Sequence, residues 1–130
     1  MTKVLYDKDN IFAKIIRNEI SCKKIDECDH TLSFFDIRPV AKIHVLVLPK
    51  KPYRDIDDFI ENSSDIEKIS IFNAINRVTK KTKIKDEGYR VITNKGFNGN
   101  QEVPHLHFHI FGGENIGKMV QWIIQYKETI

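Results

Sequence analysis

The stretch His105-Leu106-His107-Phe108-His109-Ile110 constrains the fold of this chain more than any other. Successive side chains of a strand point to opposite faces, so His105, His107 and His109 stand on one face while Leu106, Phe108 and Ile110 stand on the other. One face is chemical and the other is core. A chain of 130 residues holds one domain with one modest core, so residues 1–130 are expected to form a single unit with a single site.

The other elements are read around that strand. Asp9 or Asn10 can cap a short helix whose apolar residues Ile11, Phe12, Ile15 and Ile16 recur at helical spacing, with Ile20 closing the face. Lys24 to Glu27, Thr31 to Asp36 and Ile43 to Leu48 read as strands, separated by the Cys28-Asp29-His30 turn and the Arg38-Pro39 segment; Pro49 and Pro52 end the third. Ser64 and Glu67 form a capping box, and Ile66, Ile69, Phe72, Ile75 and Val78 follow on one broad face of a long helix that runs to about Lys81. Tyr89 to Thr93 and Val103 to Phe111 are the last two strands, joined by a loop rich in Gly and Asn. Short connections favour antiparallel pairing of successive strands. The expected class is α+β: an antiparallel meander sheet of about five strands with one long and one short helix.

Three imidazoles spaced about 7 Å apart at the backbone crowd groups that titrate near pH 6.5 onto one patch, from which a purely structural protein gains little. Two chemistries use such a row. Alternate histidines can share a zinc ion, although the outer pair lies about 13 Å apart and a further ligand would have to be His44 or a carboxylate. A neutral imidazole is also a good nucleophile for phosphorus. Attack by the middle residue, His107, splits one difficult substitution into two through a covalent phosphohistidine. The preceding loop, Asn94 to Glu102, brings flexible backbone and amide donors beside the histidine face, where exposed N–H groups of a turn can cradle a phosphate.

Composition narrows the classes further. Apolar and charged fractions of 41% and 30% are those of a soluble globular protein. No run approaches the ~18 apolar residues of a membrane span, and the N-terminus has no apolar stretch ahead of a cleavage site, so a cytoplasmic location is expected. The net charge of +3 is spread along the chain, and its one dense basic cluster, Lys80, Lys81, Lys83 and Lys85, has no interleaved aromatics, so nucleic acid is not an expected partner. Cys22 and Cys28 match neither C-x-x-C spacing nor a zinc ligand set and are read as free thiols.

The run Gly99-Asn100-Gln101-Glu102-Val103-Pro104-His105-Leu106-His107-Phe108-His109 resembles the signature of the histidine triad (HIT) family, in which three histidines alternate with hydrophobic residues after a glycine-glutamine step. Leu32 to Lys50, which holds Phe35-Asp36-Ile37-Arg38-Pro39 and His44-Val45-Leu46-Val47, is similar to the family as well, as are Ile11 to Ile16 and Gly88 to Asn94. The resemblance reaches about Gly113. Length and segments are most similar to the Hint branch, whose members bind purine nucleotides and hydrolyse nucleoside phosphoramidates.

That resemblance implies a HIT-like fold with His107 as the nucleophile, His109 close to the phosphate and leaving group, and His44 and His105 supporting the site. It implies Asp36 on the ribose hydroxyls, Ile37 beside the base, Asn94 as a substrate-side amide, and the phosphate against Gly99, Asn100, Gln101, Glu102 and Val103. The substrate would be a purine nucleotide, an AMP or GMP derivative, handled without cofactor or metal. A homodimer with two sheets joined edge to edge is also implied. Dinucleoside polyphosphate hydrolysis, as in the fragile-histidine-triad branch, and non-catalytic nucleotide binding are the alternatives. Three departures stand out: Asn100 occupies a position where a glycine usually precedes the glutamine, Glu102 replaces a hydroxyl residue, and the tail from Glu114 to Ile124 lacks the tryptophan-proline-proline ending of some Hint proteins.

Overall fold

The computed structural model describes residues 5–119; the tail beyond Gly113, which Val120, Trp122, Ile123 and Ile124 make amphipathic in sequence, continues outside the described residues. Asn10 caps the first helix, α1 (Ile11–Ile16), by accepting the Ala13 N–H at 2.8 Å. Strands β1 (Lys24–Glu27), β2 (Thr31–Phe35) and β3 (Ile43–Pro49) follow, then helices α2 (Ile56–Asn62) and α3 (Asp65–Lys81), then β4 (Arg90–Ile92) and β5 (Phe108–Gly112). The α+β class and the five antiparallel strands agree with the sequence reading.

Strand order departs from a sequential meander. The sheet runs β1-β2-β3-β5-β4, so the last strand sits inside and β4 takes the edge. The α2–α3 crossover delivers the chain beyond the place next to β3, and the β4–β5 hairpin folds back to fill it. Leu46 of β3 then lies opposite His109, and His44 opposite Phe111.

The sheet buries both faces. Against α3 lie Val45, Val47, Leu106 and Ile110, packed on Ile71, Ala74, Ile75 and Val78. Against α1 lie Leu32, Phe34, Leu46 and Leu48, packed on Phe12 and Ile15. The alternation read from residues 106–110 therefore holds: its apolar members enter the α3 core, while His107 and His109 take the α1 side.

Three expectations change. Helix α2 was not expected, yet Asp55 caps it by accepting the Asp58 N–H at 2.9 Å, and Phe59 anchors it in the core. On α3 the expected single apolar face splits, because a spacing of three falls about 60° short of a full turn at each step. Ile75 and Val78 are buried, whereas Ile66, Ile69 and Phe72 rotate out to solvent, Phe72 being 73% exposed. Strand β5 starts at Phe108 rather than Val103. Pro104 has no N–H to pair, the His105 N–H turns back to the Val103 carbonyl, and the Leu106 N–H goes to Tyr53 rather than to β3. No helix among the described residues is long and apolar enough to cross a membrane.

Candidate active site

The α1 face of the sheet opens into a cavity of about 700 Å³ between α1, the ends of β2 and β5, and the loop ahead of the histidines. Ile11, Phe12, Ile15, Phe34 and Leu46 line its apolar side. Asp36, Ile37, Asn94, Asn100, Gln101, Glu102, Val103, His107 and His109 line the rest. A mostly apolar cleft of this size with a few converging polar groups suits a small ligand.

His107 is held from behind. Its Nδ1 lies 2.7 Å from the backbone carbonyl of His105, and a carbonyl only accepts, so Nδ1 carries the proton and donates it. Nε2 is left with its lone pair. The ring is 7% exposed, wedged edge-on against Phe12 with centroids 4.8 Å apart, and burial lowers its pKa below the ordinary histidine value.

A second chain of hydrogen bonds sets His109. The Val40 N–H donates to His44 Nδ1 at 3.3 Å, which places the His44 proton on Nε2. That proton points at His109 Nδ1, 2.9 Å away, with Asp36 Oδ2 farther at 3.4 Å. His109 Nδ1 therefore accepts, and its remaining N–H is on Nε2. Burial lowers the pKa of His44, and it pushes His109 down to about 4, helped by the neighbouring His107 and His44. The two cavity histidines thus differ in role at neutral pH: His107 offers a lone pair and His109 an N–H.

His105 does not line the cavity with them. It is 0% exposed, its Nε2–H donates to the Pro49 carbonyl at 2.8 Å, and its Nδ1 accepts from the Tyr6 hydroxyl at 2.6 Å. Burial holds its pKa at about 4. Of the three histidines expected in a row from the strand pattern, only His107 and His109 line the cavity, because both ring nitrogens of His105 are taken by Tyr6 and Pro49 behind it.

Asp36, His44 and His109 each offer a donor atom, all within 4.8 Å of one another. A cation there would need the His44 Nε2 lone pair, moving the ring proton to Nδ1 against the Val40 N–H. Ligation by the three alternate histidines fails more simply, since both nitrogens of His105 are already bonded.

The HIT domain family model matches residues 17–116. The chain belongs to the HIT domain family. A HIT-like protein of Azospirillum brasilense is 45% identical over 115 residues, which are 88% of this chain and 94% of that protein. Among solved structures, a histidine triad protein from Clostridium difficile superposes with a TM-score of 0.79 at 38% identity, covering 89% of this chain and 100% of that one. A HIT family hydrolase from Clostridium thermocellum gives 0.78 at 32% identity, covering 88% and 98%.

In this HIT domain the loop of residues 94–102 is stapled rather than loose. The N–H groups of Gly99, Asn100 and Gln101 donate to the carbonyls of Lys95, Phe97 and Gly96, so these three amides are spent within the turn. The Gln101 side chain ties the turn to Arg54 and Val103, and Lys95 pairs with Asp57 on α2. Gly99 does not line the cavity. It serves the turn, since a Cβ there would meet the Lys95 carbonyl oxygen at 2.4 Å. Asn100 sits at φ 55°, a left-handed conformation that glycine and asparagine adopt most readily, so its replacement of the family's glycine keeps the backbone shape. The Asn94 Oδ1 is buried at the cavity without a partner among the described residues. Sequence reasoning missed Lys23 and Arg38, which also line the cavity; both come from loops where no periodicity marks them.

Proposed function

We propose that this protein is a hydrolase of purine nucleoside phosphoramidates that works through a nucleotidyl intermediate on His107. The observation that carries the reading is the tautomer of His107: with Nδ1–H committed to the His105 carbonyl, Nε2 is the bare nitrogen of a ring that lines the cavity. The hydrolase of Clostridium thermocellum lends support for hydrolysis as the reaction class.

The purine lies among Ile11, Phe12, Ile15, Phe34 and Ile37, and Asp36 accepts from the ribose hydroxyls, with Asn94 offering its unpartnered amide oxygen. His107 Nε2 attacks phosphorus and forms an N–P bond as the bond to the leaving nitrogen breaks. The leaving nitrogen takes up one proton and departs as the amine. In the second half, water gives its hydroxyl to phosphorus, the His107–phosphorus bond breaks, and a proton returns to solvent. The His109 Nε2–H donates to a non-bridging oxygen as negative charge gathers there.

A second copy of the chain is the proposed partner. Ile66, Ile69 and Phe72 on α3 are exposed apolar groups, as are Tyr89 beside the edge strand β4 and Val91 on it, and β4 has one side unpaired among the described residues. Light scattering of the purified protein should give twice the chain mass, and Ile69→Glu should halve it.

The reaction is tested by replacing His107 with Ala. Turnover of an adenosine phosphoramidate should vanish while nucleotide binding persists; steady-state hydrolysis by the variant at the parent rate would overturn the reading.

A further inference from the structure

We propose that Tyr6 is a positioning residue for the nucleophile: its hydroxyl locks the His105 ring, and through the His105 backbone carbonyl it holds His107 in the tautomer that leaves Nε2 bare. The inference rests on the reading that His107 attacks phosphorus.

Tyr6 lies 99 residues before His105 in the chain, in the segment ahead of α1, yet its hydroxyl oxygen is 2.6 Å from His105 Nδ1 and the two rings meet edge to face at 5.7 Å. The direction of each bond follows from what the partners can do. The Pro49 carbonyl only accepts, so His105 Nε2 carries the proton. Nδ1 is therefore a lone pair, and Tyr6 must donate to it. Burial raises the Tyr6 pKa, so the hydroxyl keeps its proton at neutral pH and beyond. Both ring nitrogens of a fully buried histidine are then fixed, one by the end of β3 and one by the N-terminal segment.

His105 has one further link that matters for chemistry. Its backbone carbonyl accepts the His107 Nδ1–H at 2.7 Å. An imidazole has one proton for two nitrogens when neutral, and the nitrogen facing the stronger acceptor keeps it. A carbonyl held rigidly in line with Nδ1 keeps the proton there and Nε2 free. If the His105 ring shifts to find a new donor for Nδ1, the carbonyl moves with its residue, and part of the His107 population places its proton on Nε2, where it cannot attack. Tyr6 does not line the cavity, so its effect falls on the chemical step and not on binding.

Tyr6→Phe keeps the edge-to-face ring and removes the hydroxyl. Single-turnover rates with an adenosine phosphoramidate should fall about tenfold, the scale of one weakened positioning hydrogen bond, with KM within about twofold of the parent. Long-range 15N–1H NMR on histidine-labelled protein reads the tautomers directly. In the parent, His105 should be protonated on Nε2 and His107 on Nδ1, and the His107 signals should move toward the other tautomer in the variant. A parental rate with unmoved His107 signals in Tyr6→Phe would overturn the proposal, and so would a parent His105 protonated on Nδ1, which needs no variant to fold. If the parent forms no nucleotidyl intermediate, the proposed function falls instead, and the NMR arm still decides whether Tyr6 sets the tautomers.

Discussion

His44 and His109 are diagonal neighbours across the β3–β5 pair, and their rings meet nitrogen to nitrogen at 2.9 Å. The proton between them belongs to His44, because the Val40 N–H occupies the other His44 nitrogen. His109 therefore presents an N–H to the cavity without being charged. Replacing His44 with Phe removes the group that dictates this tautomer while keeping the tilted ring contact with Phe111, whose ring centroid is 4.4 Å from that of His44. The single-turnover rate should fall by roughly tenfold. An unchanged rate would mean that His109 sets its own tautomer.

The pH dependence follows from buried, neutral histidines. Burial lowers the pKa of His107 below 6.5 and pushes those of His105 and His109 to about 4. A protonated Nε2 has no lone pair, so kcat should stay level from pH 8 down to 6.5 and fall only below it. Folding stability should move the same way. Between about pH 4 and 6.5 the unfolded chain binds protons on these rings that the folded chain does not, so stability is fully present above 6.5 and is lost as pH falls through that window. Urea midpoints measured from pH 7 to 4 check this, and a constant midpoint would contradict it.

The turn before the histidines makes opposite predictions at two adjacent residues. Gly99→Ala places a methyl group 2.4 Å from the Lys95 carbonyl oxygen and 2.8 Å from the Lys95 nitrogen, both backbone atoms that cannot step aside. Stability should drop by about 1–3 kcal/mol, and activity should drop further because the turn carries cavity residues Asn100 to Val103. Asn100→Gly should be nearly neutral, since both residues accept φ 55°, whereas Asn100→Val should cost about 1–2 kcal/mol. Thermal melts of the three variants rank them.

Asp36 is predicted to read the sugar. One of its oxygens is held by the Arg38 N–H at 2.8 Å, which fixes the carboxylate at the cavity wall. Asp36→Asn keeps the size but weakens acceptance from a diol. The parent should prefer a ribonucleoside substrate over its 2′-deoxy counterpart, and the variant should lose about tenfold of that preference, mainly in KM. Equal discrimination by both proteins would remove Asp36 from the ribose site.

How much of this was legible beforehand depended on the range of the interactions. Asn10 and the Ser64–Glu67 capping box act over three residues, and the sequence declares such contacts openly. The alternation at residues 106–110 likewise sorted core from cavity. The position of β5 beside β3 was hidden, because it depends on a crossover and not on loop length. That His105 stands behind the cavity and does not line it was hidden for a related reason: its partners, Tyr6 and Pro49, are 99 and 56 residues away, and no local pattern encodes those contacts. On α3 the rule of three-residue spacing overreached, and the buried stripe followed Ile71, Ala74, Ile75 and Val78 instead.

The central claim is that His107 Nε2 becomes covalently bonded to phosphorus. Mixing the protein with an adenosine phosphoramidate, quenching within milliseconds and mapping peptides by mass spectrometry should reveal an adenylyl adduct on the peptide that holds residues 105–109, localised to His107 and absent from His107→Ala. Rapid hydrolysis with no adduct at any quench time, or an adduct on His109 instead, would contradict the account.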